Sequence, residues 1–336
     1  MSMDLVTAVI ATYNYGRFVT QAVESVLAQT YGNLEVIVVD DGSDDDTREL
    51  LAPYTDRIRY IYQKNQSVAA ARNTGIRAAS GDLIAFLDAD DIWHPQKIEV
   101  QMRYLADHPE VGLVAVERLP EGIATWPPLD GLPNPQARPV TVEALVLRPL
   151  FAPSGVLMRK QCFDVVGYFD TNLRNAEDYD MWIRIACRFP IVKLEVPLWW
   201  YRVHGANKSH VPARQEAAAL KVLEKNFARS GPLGHRFFLK EKAYSYAVYA
   251  AALNYSAVGK EFLTLARLLQ SFLRWPIPYH RDEVTTWLAR PKKLIVSLLR
   301  VFHLMQRTYP QISPQAPSPT QPVPHCQPVH EATERA

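Results

Sequence analysis

Gly81-Asp-Leu-Ile-Ala-Phe-Leu-Asp-Ala-Asp-Asp-Ile-Trp93 is the stretch whose reading decides the fold. Leu83 to Leu87 has the length and apolar content of a buried strand, and it stops abruptly in carboxylates at Asp88, Asp90 and Asp91. Acids this close together repel one another and cost solvation energy if covered, so folding alone does not favour them. They make sense where a cation, or a polyphosphate with its metal, meets the end of the strand. Most isolated acidic clusters are solvated loops, but this one follows a buried strand.

The residues before it repeat the pattern. Val6 to Ala11 is an apolar run that breaks at Thr12-Tyr13-Asn14-Tyr15-Gly16, after which Phe18, Ala22 and Val26 recur at helical spacing. Leu34 to Val39 is a second strand ending in Asp40 and Asp41. Ser43 and the aspartates after it are expected to cap a helix over 47–51, a structural role that leaves Asp41 unexplained. Ile58 to Tyr62 reads as a third strand and Ser67 to Ala79 as an Ala-rich helix carrying Arg72 and Asn73. Strand and helix in alternation imply an α/β fold with a mostly parallel, Rossmann-like sheet flanked by helices, whose ligands bind at the carboxyl ends of the strands. A dinucleotide-binding enzyme is the natural rival. It needs a glycine cradle where the first strand enters its helix, and between Ala11 and Arg17 only Gly16 is available. A P-loop is absent as well.

Four motifs now stand in order: Ala-Thr-Tyr-Asn at 11–14, Val-Val-Asp-Asp-Gly-Ser at 38–43, Ala-Arg-Asn-Thr-Gly at 71–75 and Phe-Leu-Asp-Ala-Asp-Asp at 86–91. With Glu177-Asp178 and Tyr201-Arg202-Val203-His204 they resemble the family 2 glycosyltransferases of the GT-A fold, of the non-processive, Asp-x-Asp type. The resemblance runs from Val6 to His204. It implies an enzyme of surface polysaccharide or glycoconjugate synthesis that moves a sugar from a nucleotide diphosphate to a hydroxyl of a glycan or lipid-linked glycan.

The resemblance also implies roles for individual residues. Thr12, Tyr13, Asn14, Asp40 and Asp41 would surround the nucleotide, with Tyr13 stacked on the base and Asp41 accepting its N–H. An acceptor carboxylate suits the imide of uracil or thymine, so a UDP- or dTDP-sugar is favoured, with a GDP-sugar as the open alternative. Arg72 has two readings, as a contact to base or diphosphate and as a salt bridge on a helix surface. Asp90, helped by Asp88, would hold Mg²⁺ or Mn²⁺ across the two phosphates, with His204 either a further ligand or a hydrogen-bonded surface residue. Asp178 would be the base that deprotonates the acceptor in a single-displacement, inverting transfer, and Glu177 would orient base or acceptor. Both acids have a structural alternative as carboxylates in the first turn of a helix.

Downstream of Trp93, Pro95 is placed to open a helix with Ile98, Met102 and Leu105 on one face. Leu119 to Pro139 is a Pro- and Gly-rich loop whose Trp126 either faces acceptor or anchors its own loop. Trp199 and Trp200 are expected to pack, with one of them under the acceptor as the alternative. After about residue 206 the strand signals stop and helical stripes follow, so the expected organisation is a catalytic domain over 1–205, an α-helical extension over 206–309 and a disordered Pro-rich tail over 310–336. Gln270 to Trp275 nearly matches the Gln-x-x-Arg-Trp of processive synthases but is one residue too long, and is read as helix-end packing. Between Lys292 and Arg307 the residues Leu294, Ile295, Leu298, Leu299, Phe302 and Met305 share one side of a helix, opposite Lys292, Lys293, Arg300 and Arg307. That helix either packs on its neighbours by its apolar side or lies on an anionic membrane.

Composition limits the alternatives. The 336 residues are 48% hydrophobic and 21% charged with a formal net charge of +2, which gives room for a sizeable core and no basic field for nucleic acid. Cys162, Cys187 and Cys326 are few and scattered, as in a reducing compartment. No signal-peptide pattern opens the chain and no run suits a membrane span, so the expected location is cytoplasmic, with peripheral contact at the inner face of the membrane through 292–307. Two rival functions remain: a catalytically silent nucleotide-sugar or glycan-binding protein on the same fold, and a sugar nucleotidyltransferase, whose Gly-rich basic loop is missing from Ala11 to Arg17.

Overall fold

The computed structural model describes residues 4–121, 123, 125, 126, 135–204, 211–279 and 289–308, with side chains to 302 in the last stretch. Its elements in order are β1 (Val6–Thr12), α1 (Gly16–Leu27), β2 (Leu34–Asp40), α2 (Thr47–Leu51), β3 (Arg59–Tyr62), α3 (Val68–Ala78), β4 (Leu83–Asp88) and β5 (Ile92–Trp93). Then come α4 (Lys97–Asp107), β6 (Leu113–Arg118), β7 (Ala137–Val140), α5 (Val142–Leu145), β8 (Val156–Arg159), α6 (Gln161–Val166), α7 (Glu177–Ala186) and β9 (Ile191–Trp200). Four helices follow: α8 (Pro212–Asn226), α9 (Phe237–Ala257), α10 (Glu261–Arg274) and α11 (Ala289–Thr308).

One sheet joins the strands in the order β3-β2-β1-β4-β8-β6-β9-β5, with β7 on β9. It is parallel from β3 to β4, as the alternation of strand and helix predicts. Beyond β4 it is mixed: β8 runs antiparallel to β4 and β6, whereas β6 and β9 are parallel. Successive side chains of β1, β2 and β4 point to opposite faces, and both faces are covered. Val9, Ile37 and Phe86 face α3 and α7 on one side; Ala8, Val38 and Leu87 face α1 and α4 on the other. The approach of α3 to β1 requires Gly75, because a Cβ there would stand 2.3 Å from a methyl of Val9.

Of the residues expected to cap α2, Asp45 accepts the Thr47 N–H, while Ser43 Oγ instead accepts the Asn14 N–H from the β1 turn. Cys162 is buried and burial pushes its thiol up to about 12, as suits a core thiol. Gln270 to Trp275 ends α10, with Arg274 bridged to Glu241 of α9, in keeping with a packing role. The expected tail over 310–336, Cys326 and the side chains of Met305 and Arg307 lie outside the described residues.

Candidate active site

Strand register gathers the motifs. Thr12 pairs with Asp40 and Ala11 with Asp88, so the ends of β2, β1 and β4 stand side by side at one edge of the sheet. After β1 the chain turns through Asn14 at φ 57°, a left-handed conformation that Asn tolerates. Asn14 Oδ1 accepts the Asp44 N–H at 2.9 Å, and Asp45 accepts the Gly16 N–H at 2.9 Å. Asn14 therefore ties two loops of the nucleotide region together. Tyr13 is 39% exposed, open to a stacking partner, and buried Thr12 Oγ1 has no hydrogen-bond partner among the described residues.

Asp40 is buried, and its carboxylate accepts from the Ser43 N–H and the Tyr60 hydroxyl, so it shapes the turn from beneath. Asp41 is also buried and accepts from Gln63 Nε2 and from the Gln66 and Ser67 N–H groups, fixing the loop over 63–67. A carboxylate accepts about four hydrogen bonds, which leaves Asp41 with capacity for one more. Gly42, between this acid and Ser43, sits at φ +85° with Asn65 N only 2.7 Å from where a Cβ would be.

Arg72 is 4% exposed, so its salt bridge is a buried one and not on a helix surface; one guanidinium nitrogen meets Glu177 Oε1 at 2.7 Å and another Asp88 Oδ1 at 2.6 Å. Burial disfavours the cation, but the Asp88 and Glu177 carboxylates more than offset it and its pKa rises. Asn73 beside it makes a two-way pair with the backbone of Phe169, docking the turn that leads to α7. Asn175 at φ 69° then swings the chain so that Glu177 and Asp178 open the helix. Glu177 Oε2 is buried with no partner among the described residues. Asp178 is half-buried and accepts the Tyr179 N–H; burial and the charge of Glu177 push its carboxyl up to about 7. The other acid of this turn, Asp180, is structural: it joins Arg184, Lys225 and Asn226 across to α8.

The acids after β4 separate into two roles. Asp90 Oδ2 lies 3.0 Å from His204 Nε2, which brings together residues 114 apart in the chain. Burial and the charge of Asp88 raise the Asp90 carboxyl above its ordinary range. Asp91 turns inward: Ser154 Oγ donates to it at 2.6 Å and accepts the Asp88 N–H at 3.1 Å, while the Arg202 N–H donates to its other oxygen. Trp93 donates to the Ser154 carbonyl and covers buried Lys97, so a packed floor supports the acidic turn. Arg202 holds the Asp90 carbonyl from the far side. Tyr15 and Phe18 flank the His204 ring at 5.8 and 4.8 Å, and burial with the Asp90 and Asp88 charges pushes the Tyr15 phenol up to about 12.

With Asp88 turned to Arg72, no group of three His, Cys, Asp or Glu converges as a complete metal site among the described residues. The donor types still fit a hard divalent cation: Mg²⁺ sites commonly use one or two carboxylates and leave the remaining positions to substrate phosphates and water. Asp90 and His204 already face one another, and Asp88 is near enough to act on the Asp90 charge.

Ser154, Arg202, Tyr15 and Phe18 escaped the sequence reading as site residues. Arg202 had a signal, since it lies within a quoted motif, and Tyr15 directly follows one. Ser154 had none, because its partners are more than sixty residues away. Trp126 meets His94 edge to face at 5.1 Å, which anchors its loop. Trp199 is buried as expected; Trp200 lines a cavity of about 260 Å³ with Arg118, Leu119, Tyr201 and Arg202.

Comparison with known proteins places this geometry. Residues 7–164 match the sequence profile described as Glycosyl transferase family 2. An uncharacterized glycosyltransferase of Rickettsia prowazekii is 26% identical over 312 residues, covering 86% of this chain and 98% of the relative. Three other Rickettsia relatives are longer, and the chain spans 36% of the one from Rickettsia felis. Among solved structures, residues 1–349 of S. aureus TarS in complex with UDP-GlcNAc superimpose with a TM-score of 0.58 at 16% identity, covering 80% of this chain and 81% of that one. The mannosyltransferase PcManGT from Pyrobaculum calidifontis, in complex with GDP-Man and Mn²⁺, gives 0.55 at 21% identity over 89% and 87%.

Proposed function

This chain is a family 2 glycosyltransferase with the GT-A fold, and from that premise we propose that it performs inverting, metal-dependent transfer of one sugar to a hydroxyl of a glycan or lipid-linked glycan. The observation that carries the reading is the Arg72 bridge, which joins the acidic turn at the end of β4 to the acids that open α7. Arg72 and Glu177, which it joins, are 105 residues apart in sequence.

In this reading the diphosphate of a nucleotide sugar lies against the carboxyl ends of β1, β2 and β4, with its base against Tyr13 and within reach of the remaining acceptor capacity of Asp41. A uridine or thymidine nucleotide is favoured; the solved relatives bind UDP-GlcNAc and GDP-Man, so guanosine stays open. Asp90, His204 and Asp88 would hold Mg²⁺ or Mn²⁺. Such a cation, when bound, supplies the positive charge that a departing diphosphate needs. Asp178 takes the acceptor hydroxyl proton as the hydroxyl oxygen attacks the anomeric carbon, and its raised pKa makes it a base matched to neutral pH. Glu177 orients the acceptor through its unpartnered oxygen, and Arg72 holds its other oxygen in place beside Asp178. A lipid-linked acceptor would put the reaction at the inner, cytoplasmic face of a membrane.

The test is a panel of nucleotide sugars assayed for nucleoside diphosphate release after chelation and again with added Mn²⁺. Release from one donor that depends on the metal supports the reading. Binding of a donor without turnover under any metal condition would return the silent-binder alternative.

A further inference from the structure

The two C-terminal helices present their apolar sides outward. On α10 the inward residues are Thr264, Leu268 and Ser271, whereas Phe262, Leu269 and Leu273 are 62%, 41% and 81% exposed. On α11 the inward residues are Arg290, Ser297 and Val301, with Arg290 donating to the Trp275 carbonyl and the Tyr279 hydroxyl. Ile295, Leu299 and Phe302 of α11 are about 60% exposed, at 59%, 64% and 61%. A helix that packed on its own domain through hydrophobic burial would turn these side chains inward. Here serine, threonine and arginine share the inward sides with Leu268 and Val301, while the larger number of apolar side chains named above stays outside. Contiguous exposed apolar surface of this kind marks a surface that something else covers.

Charge indicates what covers it. Arg267, Arg274 and Arg300 pair with Glu216, Glu241 and Glu261 and Arg290 turns inward, so the charge left to this face among the described residues is that of exposed Lys292 and Lys293. Lys292 falls on the outward side of α11, one and two turns before Val296 and Leu299, while exposed Lys293, four residues before buried Ser297, sits at the border with α9 over the Tyr249 ring. Arg300 reaches Glu261, the neighbour of Phe262, so the helices lie side by side. A second copy of this face would bring like charges together, which disfavours self-association. Exposed apolar side chains with basic residues among and beside them suit an anionic lipid surface, where long lysine stems keep the charge at headgroup level. No helix among the described residues is long and apolar enough to cross a membrane, so the contact is with the surface.

We propose that α10 and α11 form a docking face for an anionic lipid bilayer. The face holds whether or not the acceptor is lipid-linked, since its test does not read transfer.

The experiment is flotation of the full chain with vesicles of phosphatidylcholine alone and of phosphatidylcholine with about 30% phosphatidylglycerol, at low and high salt. The full chain should float with the anionic vesicles at low salt only. Leu299→Asp with Phe302→Asp should abolish flotation, and Lys292→Ala with Lys293→Ala should weaken partition on the order of 10- to 30-fold. These side chains are exposed, so both variants should keep the wild-type circular dichroism and soluble-donor turnover. A full chain that stays unbound, or an aspartate variant that floats as well as wild type, overturns the proposal. So does a dimer in sedimentation that dissociates in the aspartate variant without any flotation, which would assign the face to a second copy.

Discussion

Replacing Asp178 by Asn should make the protein more stable above neutral pH while removing most of its transfer activity. Burial and the neighbouring Glu177 charge raise the Asp178 carboxyl from 3.8 to about 7, so the folded state resists its ionisation. The sign follows from linkage. Below about pH 4 folded and unfolded chains both keep the proton, and the group costs nothing. As pH rises toward 7 the unfolded chain loses it first, and stability falls; above 7 the full cost is present. Three pKa units at about 1.4 kcal/mol each give an upper bound of about 4 kcal/mol, reduced because Glu177 and Asp178 titrate as a pair. Asparagine carries no such cost. Thermal unfolding in EDTA from about pH 5 to about pH 8 should therefore show the variant gaining several degrees over wild type as pH rises, and little at the acid end. The same variant should keep donor affinity within a few fold and lose about 10²- to 10⁴-fold in kcat. A stability difference that does not change with pH, or a variant less stable than wild type at pH 8, would refute the burial argument; near-normal kcat would return Asp178 to a helix-terminal role.

Other perturbations test the surrounding contacts. Arg72→Ala leaves Asp88 and Glu177 facing one another without a cation and should cost about 3–5 kcal/mol in denaturant unfolding; Arg72→Lys should rescue only part, because an ammonium cannot span both carboxylates as the guanidinium does. Ser154→Ala removes the donor to Asp91 and the acceptor for the Asp88 N–H, so Mn²⁺ affinity by titration calorimetry in the presence of nucleoside diphosphate should fall, and unchanged affinity would make that floor irrelevant to the acidic turn. Asp90→Ala should abolish metal-dependent nucleotide binding, and retained binding would remove it from the cation site.

The acids that carry the proposed chemistry were legible because they break a rule: Asp88, Asp90 and Asp91 end an apolar strand where folding gains nothing from charge. Arg72 was visible as a motif residue, yet its partners were not, since Asp88 and Glu177 reach it only after β4 and α7 are in place. Asp40 and Asp41 looked alike in sequence, and only the neighbouring Tyr60, Gln63 and Ser67 separate their contacts. The parallel half of the sheet followed from alternating strand and helix. The mixed half did not, because β6 is a short apolar run whose direction depends on where β8 and β9 return. For α11 the periodicity identified an apolar side but could not tell which way it faces; the polar contacts of Arg290 with Trp275 and Tyr279 set that direction.

The stereochemistry of donor turnover tests the central claim most directly. The proposed single displacement at the anomeric carbon, with Asp178 as the base and no covalent intermediate, predicts that ¹H NMR at early times of the released or transferred sugar shows the anomeric configuration opposite to that of the donor. A product that retains the donor configuration would contradict the account.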